Sequence, residues 1–385
     1  MNAPLIGILS VLFAIASMPV PAADASAPAP EKKGQWVKVD KYYRYYRDAL
    51  AIDRPTGNLI CAEWWKKSGK GGLFLSADQG RTFTRADDDK KVRGSPFSGS
   101  AIVASPDGGK MVSFSGAWRS TSCYSLDGGK TWTDFAEVIP TNTTKAAGLD
   151  FGAMDWESGT VVGFQHESYG GPHVFISTDT GKTWAAFNPP PGAELSPWYS
   201  GGGTKMGGFA YGQSGIGVFS AREIVYSHAG GIWRTADGGA TWTNLSAHCC
   251  VGPVQVFKGE GYWLAKKEEA GKWSGYILAT KDKGRTWQQV GTPIANGDSP
   301  NLLPPRFGKD EKHIVAAAAA GIVESTDGGG TWKVVVAGYP QKLVARSVSN
   351  ADCFEYDSLR DIFYVYFFKD DDKEDTPGCT WKYQR

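Results

Sequence analysis

Two short segments of the chain bring together side chains that can move protons or attack a substrate. His166, Glu167 and Tyr169 lie within one segment that ends in glycines, and Glu223 follows an arginine in another. Histidine, carboxylate and tyrosine groups are common acids, bases and nucleophiles in enzymes. Any one of them alone is more often a solvated surface group. Their clustering predicts that these four are the catalytic residues if the chain is an enzyme.

A second set of side chains has the chemistry of ligand binding. Arginine and lysine hold carboxylate or sulfate oxygens through charge-assisted hydrogen bonds, and exposed tryptophan and tyrosine faces suit sugar rings. We predict that the residues with this chemistry bind an acidic carbohydrate. They are Trp65, Arg93, Trp118, Arg119, His173, Arg222, Lys266 and Arg346.

A repeated motif indicates which elements must position these residues. It reads Ser or Thr, any residue, Asp, any residue, Gly, any residue, Thr and an aromatic, and it occurs six times at intervals of about 45–58 residues. Such residues favour a tight turn between strands, in which Gly takes a positive φ, Asp binds nearby backbone and the aromatic packs into the core. The aspartates are therefore predicted to be structural: Asp78, Asp127, Asp179, Asp237, Asp282 and Asp327.

The spacing of the motif predicts the fold class. One interval is about the length of a four-stranded propeller blade, and apolar segments such as 101–104 and 111–114 precede the motif as strands. We predict an all-β, seven-bladed β-propeller with four-stranded antiparallel blades; a six-bladed ring is the alternative. Residues 375–381 look like a degenerate motif in the last blade. Residues 35–39 are predicted to be an outer strand that closes the ring.

The motif resembles the Asp-box, or bacterial neuraminidase repeat, of the sialidase superfamily, over nearly the whole chain after the N-terminal segment. In that superfamily the motif turn joins the third and fourth strands, and ligands bind on the other rim. The loops after second strands and before first strands would therefore form the site. On this basis Arg222, Glu223 and Lys266 are predicted to follow second strands.

The resemblance implies an exported glycoside hydrolase of sialidase-like type that acts on acidic glycans. The segments Tyr43–Arg47 and Asp53–Pro55 do not match the first arginine motif of sialidases, so no sialidase residue is assigned. Two alternatives stay open. One is a polysaccharide lyase for uronate glycans, in which Arg or His neutralises the carboxylate and Tyr or His removes the α-proton. The other is a non-catalytic scaffold that binds a protein or a glycan.

The N-terminus resembles a secretory signal. Leu5–Met18 is apolar but short for a membrane span, and Ala23-Asp24-Ala25 fits a cleavage site. We expect a signal peptide at 1–25, a Pro/Ala linker at 26–34 and the propeller at 35–385. The protein would then be secreted or periplasmic, with no membrane span after signal removal. A net charge of +1 gives no reason to expect nucleic acid. We expect a monomer without cofactor or metal.

Six cysteines in an exported chain favour disulfides over a metal site. Cys353 and Cys379 fall in the same predicted blade, and Cys61 and Cys123 fall in neighbouring blades. Cys249 and Cys250 are adjacent and are candidates for a vicinal disulfide. These pairings are three hypotheses among the 15 connectivities that six cysteines allow.

Overall fold

The computed structural model describes residues 33–39, 49–65, 70–87, 100–115, 121–138, 149, 151–164, 174–193, 215–228, 231–299, 302–343, 353–367 and 379–385. Within these ranges the regular structure consists of 28 β-strands and no α-helix. The predicted signal peptide lies outside them. No helix in the described part of the chain is long and apolar enough to cross a membrane.

The strands form seven four-stranded antiparallel units, numbered in chain order. The first strand, Trp36–Lys38 (β1), belongs to the last unit. Unit 1 is Ala49–Asp53 (β2), Asn58–Trp65 (β3), Lys70–Ser76 (β4) and Thr84–Arg85 (β5). Unit 2 is Ser100–Ala104 (β6), Met111–Ser115 (β7), Cys123–Ser125 (β8) and Thr133–Asp134 (β9). Unit 3 is Phe151–Asp155 (β10), Thr160–Phe164 (β11), Val174–Ser177 (β12) and Ala185–Ala186 (β13).

The remaining units follow the same order. Unit 4 is Gly215–Val218 (β14), Ile224–His228 (β15), Gly231–Thr235 (β16) and Thr243–Ser246 (β17). Unit 5 is Cys249–Phe257 (β18), Glu260–Glu269 (β19), Lys272–Thr280 (β20) and Gln288–Gly297 (β21). Unit 6 is Arg306–Phe307 (β22), Ile314–Ala318 (β23), Gly321–Ser325 (β24) and Lys333–Ala337 (β25). Unit 7 is Phe354–Asp357 (β26), Ile362–Phe367 (β27), Cys379–Gln384 (β28) and β1.

The first strand of each unit lies on the inside of a ring. These inner strands meet their neighbours in chain order, and β26 of unit 7 contacts β2 of unit 1. Units 5 and 6 meet through Phe257 and Phe307, whose ring centroids are 5.0 Å apart. This arrangement is a β-propeller, so the predicted all-β propeller with four-stranded antiparallel blades is confirmed.

Units 4 and 5 share one eight-stranded sheet because their inner strands pair with each other. Gly215 lies opposite Gly252, and Ile216 lies opposite Pro253, in parallel register. A Cβ atom at Gly215 would lie 2.5 Å from the Gly252 carbonyl oxygen. The direct pairing of two inner strands therefore requires glycine at this position.

The two ends of the described chain meet in unit 7. Trp36 pairs with Tyr383 and Lys38 pairs with Trp381, which confirms the predicted closing strand. The predicted degenerate motif at 375–381 was wrong where the structure describes it, because Cys379–Trp381 belong to the third strand, β28. The N-terminal strand supplies the fourth strand of this unit, so no turn into a further strand is needed there. Residues 375–378 lie outside the described ranges.

The repeated motif forms the same hydrogen-bonded turn in units 1 to 6. In unit 4, the Thr235 hydroxyl donates to Asp237 Oδ1 and accepts the Gly239 amide, each at 2.8 Å. The Thr241 amide and hydroxyl donate to the Asp237 carboxylate at 2.9 and 2.6 Å. Each of the six aspartates is held in this way. Their carboxylates are committed to their own turns, the role predicted for them.

These hydrogen bonds also change the acidity of the aspartates. The Thr241 hydroxyl, the Thr241 amide and the Thr235 hydroxyl lower the pKa of Asp237 to about 2. A folded-state pKa below the unfolded value makes a contribution to stability that is present above about pH 4 and is lost as the pH falls toward 2. The turns therefore resist mild acid.

In units 3, 4 and 6 the aromatic residue that ends the motif has a different place from the one predicted. Instead of filling the core of its own unit, the half-buried indole of Trp184 donates its N–H to the Ala136 carbonyl of unit 2 at 3.0 Å. Trp242 bonds Asn188 of unit 3 and Trp332 bonds Thr292 of unit 5 in the same way. These side chains fasten neighbouring units together.

The structure contains no disulfide among the six cysteines, all of which lie in described ranges. Cys353 adjoins β26 and Cys379 begins β28, with β27 between them. Residues on strands two places apart in a sheet have Cα atoms about 9.5 Å from each other. A disulfide spans at most roughly 7 Å between Cα atoms. Cys249 and Cys250 follow each other in a strand, so their side chains point to opposite faces.

The third pairing fails for a similar reason. Cys61 belongs to the apolar cluster between units 1 and 7, whereas Cys123 packs with Ile60 and Ala62 between units 1 and 2. Because successive side chains of β3 point to opposite faces, the sheet of unit 1 separates the two sulfur atoms. The three proposed disulfide pairings were therefore wrong.

The repeated turn makes a direct stability prediction. Thr235→Val removes a buried hydroxyl and leaves the Gly239 amide without its acceptor, so we expect the free energy of unfolding to fall by about 1–3 kcal/mol. Thr235→Ser keeps the hydroxyl and should lose much less. Urea unfolding of the two variants measures the difference. Equal losses would show that the hydroxyl is not what holds the turn.

Candidate functional site

The two rims of the ring carry different elements. One rim, called here the repeat-turn rim, holds the six motif turns together with the turns that join first and second strands. The opposite rim holds the turns between second and third strands and the connections between units. Because strands alternate in direction through each unit, a residue's position in its strand decides its rim.

Most of the predicted site residues fall outside the described ranges. These are His166, Glu167, Tyr169, Arg93, Trp118, Arg119, His173 and Arg346. Trp65 is the last residue of β3, where its backbone pairs with Lys70, and its side chain is not described. The predictions for these residues stay predictions. Arg222, Glu223 and Lys266 are the candidates that the structure places completely.

Arg222 and Glu223 do not lie on the predicted rim. They precede β15, the second strand of unit 4, and the Arg222 carbonyl accepts the Gly238 amide of a motif turn at 3.2 Å. The sequence interpretation had them following a second strand. That placement was wrong because β14, just before them, is the inner strand of its unit. Both residues therefore belong to the repeat-turn rim.

The Glu223 carboxylate is held by cations of units 4 and 5. Its Oε1 atom lies 2.9 Å from Arg234 Nη2 and 3.2 Å from Arg285 Nη2, and Lys283 Nζ lies 3.9 Å from Oε2. A carboxylate surrounded by three cations joins the two units. This position is evidence against the catalytic role predicted for Glu223 and the binding role predicted for Arg222, because both residues were expected on the other rim.

Lys266 lies on the predicted rim, in the strands of unit 5. Here β19 and β20 each have 9 or 10 residues and extend to a hairpin at Ala270–Gly271. Lys266 is part of β19 rather than of a loop, and it lies opposite Cys249 on one side and Gly275 on the other. It shares a sheet face with Leu264, which packs toward unit 6. The lysine therefore lies between units 5 and 6.

The surroundings of Lys266 change its acidity. The side chain is half-buried, and this burial lowers its pKa to about 8, with Cys249 opposing the change. Burial raises the pKa of Cys249 to about 11. The lysine ammonium and the neutral amine are thus both accessible near pH 8, which is characteristic of functional lysines.

A cavity lies on the axis of the ring. Its walls come from units 1, 2, 5, 6 and 7, and it has about 40 Å³ of space for the centres of water molecules. The polar side chains that line it are Arg54, Ser105, Gln255, Arg306, Glu355 and Tyr356.

A buried ion pair forms part of the cavity wall. Arg306 Nε and Nη2 lie 2.9 and 2.8 Å from Glu355 Oε1, and both residues are more than nine-tenths buried. Arg306 Nη1 also donates to the Pro304 and Pro305 carbonyls. Burial raises the pKa of Glu355, and Arg306 opposes that rise. Removing one partner of such a pair leaves the other as a buried, uncompensated charge, so each residue requires the other for stability.

Arg54 lies beside the cavity at the repeat-turn rim. Its guanidinium donates to the Pro106 carbonyl of unit 2 at 3.0 Å and to the Gly308 carbonyl next to unit 6. The same group lies 4.5 Å from the ring centroid of Phe257 in unit 5. Burial lowers the pKa of Arg54, and Asp107 and Asp310 counteract this. One side chain therefore links four units near the axis.

The sequence interpretation missed Arg54, Arg306 and Glu355. Arg54 and Arg306 stand next to prolines in segments that read as loops, and Glu355 is one alternating residue of a short strand. No local pattern distinguishes them, because residues some 50 to 250 positions apart meet only when the ring closes. Within the described ranges, no group of three or more His, Cys, Asp or Glu side chains is arranged to hold a metal ion.

Comparison with known proteins supports the fold. No family model and no curated protein matches the chain. An oligogalacturonate lyase in complex with manganese is 9% identical with a TM-score of 0.50, over 89% of each chain. An ancestral GH74 enzyme is 12% identical with a TM-score of 0.46, over 90% of this chain and 47% of the enzyme. YCF48 bound to a D1 peptide is 13% identical with a TM-score of 0.36, over 77% of this chain and 95% of YCF48. At such identities a likeness shows the fold alone, and the lyase, with its TM-score of 0.50, supports the β-propeller fold.

From the position of Glu223 we predict that this residue contributes to stability and not to glycan binding. Glu223→Gln removes the charge that holds Arg234, so we expect the free energy of unfolding to fall by about 1 kcal/mol while glycan binding is unchanged. Arg222→Ala, at an exposed neighbouring position, should change neither. Chemical denaturation and a glycan-binding assay measure the two properties. Loss of glycan binding in stable Glu223→Gln protein would contradict this placement.

Proposed function

We propose that the chain is an exported, monomeric propeller that recognises acidic glycans on its opposite rim and cleaves them as a glycoside hydrolase of sialidase-like type. The observation that carries the proposal is the place of Lys266. Its side chain is half-buried on the rim opposite the repeat turns, between units 5 and 6. A ligand carboxylate beside it would form a charge-assisted hydrogen bond and would stabilise the charged lysine.

The repeat-turn rim has fewer charged groups that are available to bind a glycan. Its motif aspartates are saturated by their own turns, and the Glu223 carboxylate is held by Arg234 and Arg285. A glycan on that rim would compete with these internal bonds. The hydrolytic residues would come from the predicted segment with His166, Glu167 and Tyr169, which remains a sequence-based proposal.

A polysaccharide lyase is the second candidate, and the lowered pKa of Lys266 favours it. A neutral amine near pH 8 is a suitable base for the proton α to a uronate carboxylate. Loss of that proton and departure of the glycosidic oxygen would leave an unsaturated uronate. The oligogalacturonate lyase has the same propeller architecture over 89% of both chains, which supports the possibility of this chemistry on such a scaffold.

A substrate screen tests the reaction class. Purified protein is incubated with sialosides, uronate polysaccharides and neutral glycans, and both released reducing ends and ultraviolet absorbance are recorded. We expect reducing ends without absorbance from acidic substrates. Absorbance from uronate polymers would establish the lyase instead. Binding without either product would make the chain a scaffold, and the absence of both binding and cleavage would contradict the proposal.

A matched pair of variants tests the role of Lys266. Lys266→Met keeps the length of the side chain and removes its charge, so we expect acidic-glycan affinity to fall by about tenfold or more. Lys272→Met changes an exposed lysine of the same hairpin, paired with Asp298, and should have little effect. Calorimetry with an acidic and a neutral oligosaccharide gives the affinities. Equal affinities for both variants would remove Lys266 from the site.

The pH dependence follows from the pKa of Lys266. Below about pH 8 the lysine is charged, so affinity for an acidic glycan should be constant, and it should fall as the pH rises above 8 and the proton is lost. Lys266→Arg should keep the charge and shift this fall to higher pH. Lyase turnover would show the reverse, rising through pH 8. Identical binding profiles for the wild type and Lys266→Arg would contradict the role of this charge.

A further inference from the structure

The axial cavity is separate from the rim that carries Lys266. Five units contribute its walls, and the inner strands β6, β18, β22 and β26 all reach it. Lys266 lies on the second strand of unit 5, on the face toward unit 6. A ligand in the cavity would therefore contact other residues than a glycan on the opposite rim.

The charged groups of the cavity are already satisfied within the protein. Arg306 uses Nε and Nη2 for Glu355 and Nη1 for two proline carbonyls. Arg54 uses both terminal nitrogens for the Pro106 and Gly308 carbonyls. An anion entering the cavity would meet the buried Glu355 carboxylate and would have to displace an internal bond. Burial of an uncompensated charge is unfavourable, so the cavity does not suit a charged ligand.

The remaining polar side chains at the wall are uncharged. Ser105 is buried at the end of β6, and Gln255 is half-buried in β18. The Tyr356 hydroxyl donates to Asp361 at 3.0 Å, so this ring contributes an aromatic surface rather than its hydroxyl. A hydroxyl and an amide beside apolar walls suit a ligand that both donates and accepts hydrogen bonds without carrying charge.

The size of the cavity limits the ligand. One water molecule needs about 10–15 Å³ of such space, so 40 Å³ provides about three water positions. Hydroxyl groups can replace ordered water when they reproduce its hydrogen bonds. Three positions match three non-hydrogen atoms, so the cavity takes the hydroxymethyl end of a small polyol, whose remaining atoms lie toward the open side of the cavity.

We propose that the axial cavity is a binding site for the hydroxymethyl end of an uncharged polyol or sugar. Arg54 bounds this site at the repeat-turn rim through its bonds to units 2 and 6. The site is independent of the acidic-glycan site and does not require Lys266.

Glycerol is the probe for this site, and D-glycerate is its anionic counterpart of similar size. We expect glycerol to bind the full chain with saturable, millimolar affinity in ligand-observed NMR titrations. D-glycerate should bind at least about tenfold more weakly. A titration in which glycerol does not saturate, or in which D-glycerate binds equally well, would overturn the proposal.

Two variants locate the binding. Gln255→Leu removes the amide at similar size and should weaken glycerol binding about tenfold, whereas Gln288→Leu, at an exposed position of the same unit, should not. Ala104→Leu adds volume to the cavity wall and should abolish binding, which keeps the test valid if Gln255→Leu does not fold. Wild-type affinity in the folded variants would refute the site. Lys266→Met should bind glycerol normally, so failure of the glycan proposal would be distinguishable from failure of this one.

Discussion

The hydrogen bonds around one aspartate carboxylate, repeated in units 1 to 6, are the interaction on which the rest of the structure depends. Asp237 receives the Thr241 amide and hydroxyl and the Thr235 hydroxyl, and the same Thr235 oxygen accepts the Gly239 amide. The third and fourth strands of a unit are thereby fixed in register across a turn with little apolar content. Because each turn is satisfied locally, the register of the outer strands in these six units does not depend on contacts with neighbouring units.

The units are joined by interactions that differ from seam to seam. Trp184, Trp242 and Trp332 each donate an indole N–H to the preceding unit. In unit 5 the corresponding Trp287 packs against Trp263 of its own unit, at 5.3 Å between ring centroids. There the parallel pairing of β14 and β18 connects the units instead. This backbone pairing at the seam of units 4 and 5, beside the indole bonds at other seams, makes the ring asymmetric.

The two rims also differ in the charged groups that are available to a ligand. On the repeat-turn rim, carboxylates and cations are engaged in holding turns and units together. On the opposite rim, the long strands of unit 5 carry Lys266, whose pKa is lowered by burial, with Cys249 opposing the change. A group that is destabilised in its charged form gains most from a ligand of opposite charge. The axial cavity differs again, since Arg306 is paired with Glu355 and Arg54 is bonded to two carbonyls near Asp107 and Asp310.

The sequence by itself determined the repeated turn, the all-β propeller and the closing strand at 35–39, because each depends on short-range hydrogen bonding and on a regular spacing. It placed Lys266 on the correct rim. It misplaced Glu223, since a shift of one strand within a unit exchanges the rims and no local residue marks which strand is innermost. The disulfide pairings and the axial group of Arg54, Arg306 and Glu355 were decided by tertiary structure alone. Their neighbours come from distant units, and only the closure of the ring brings them together.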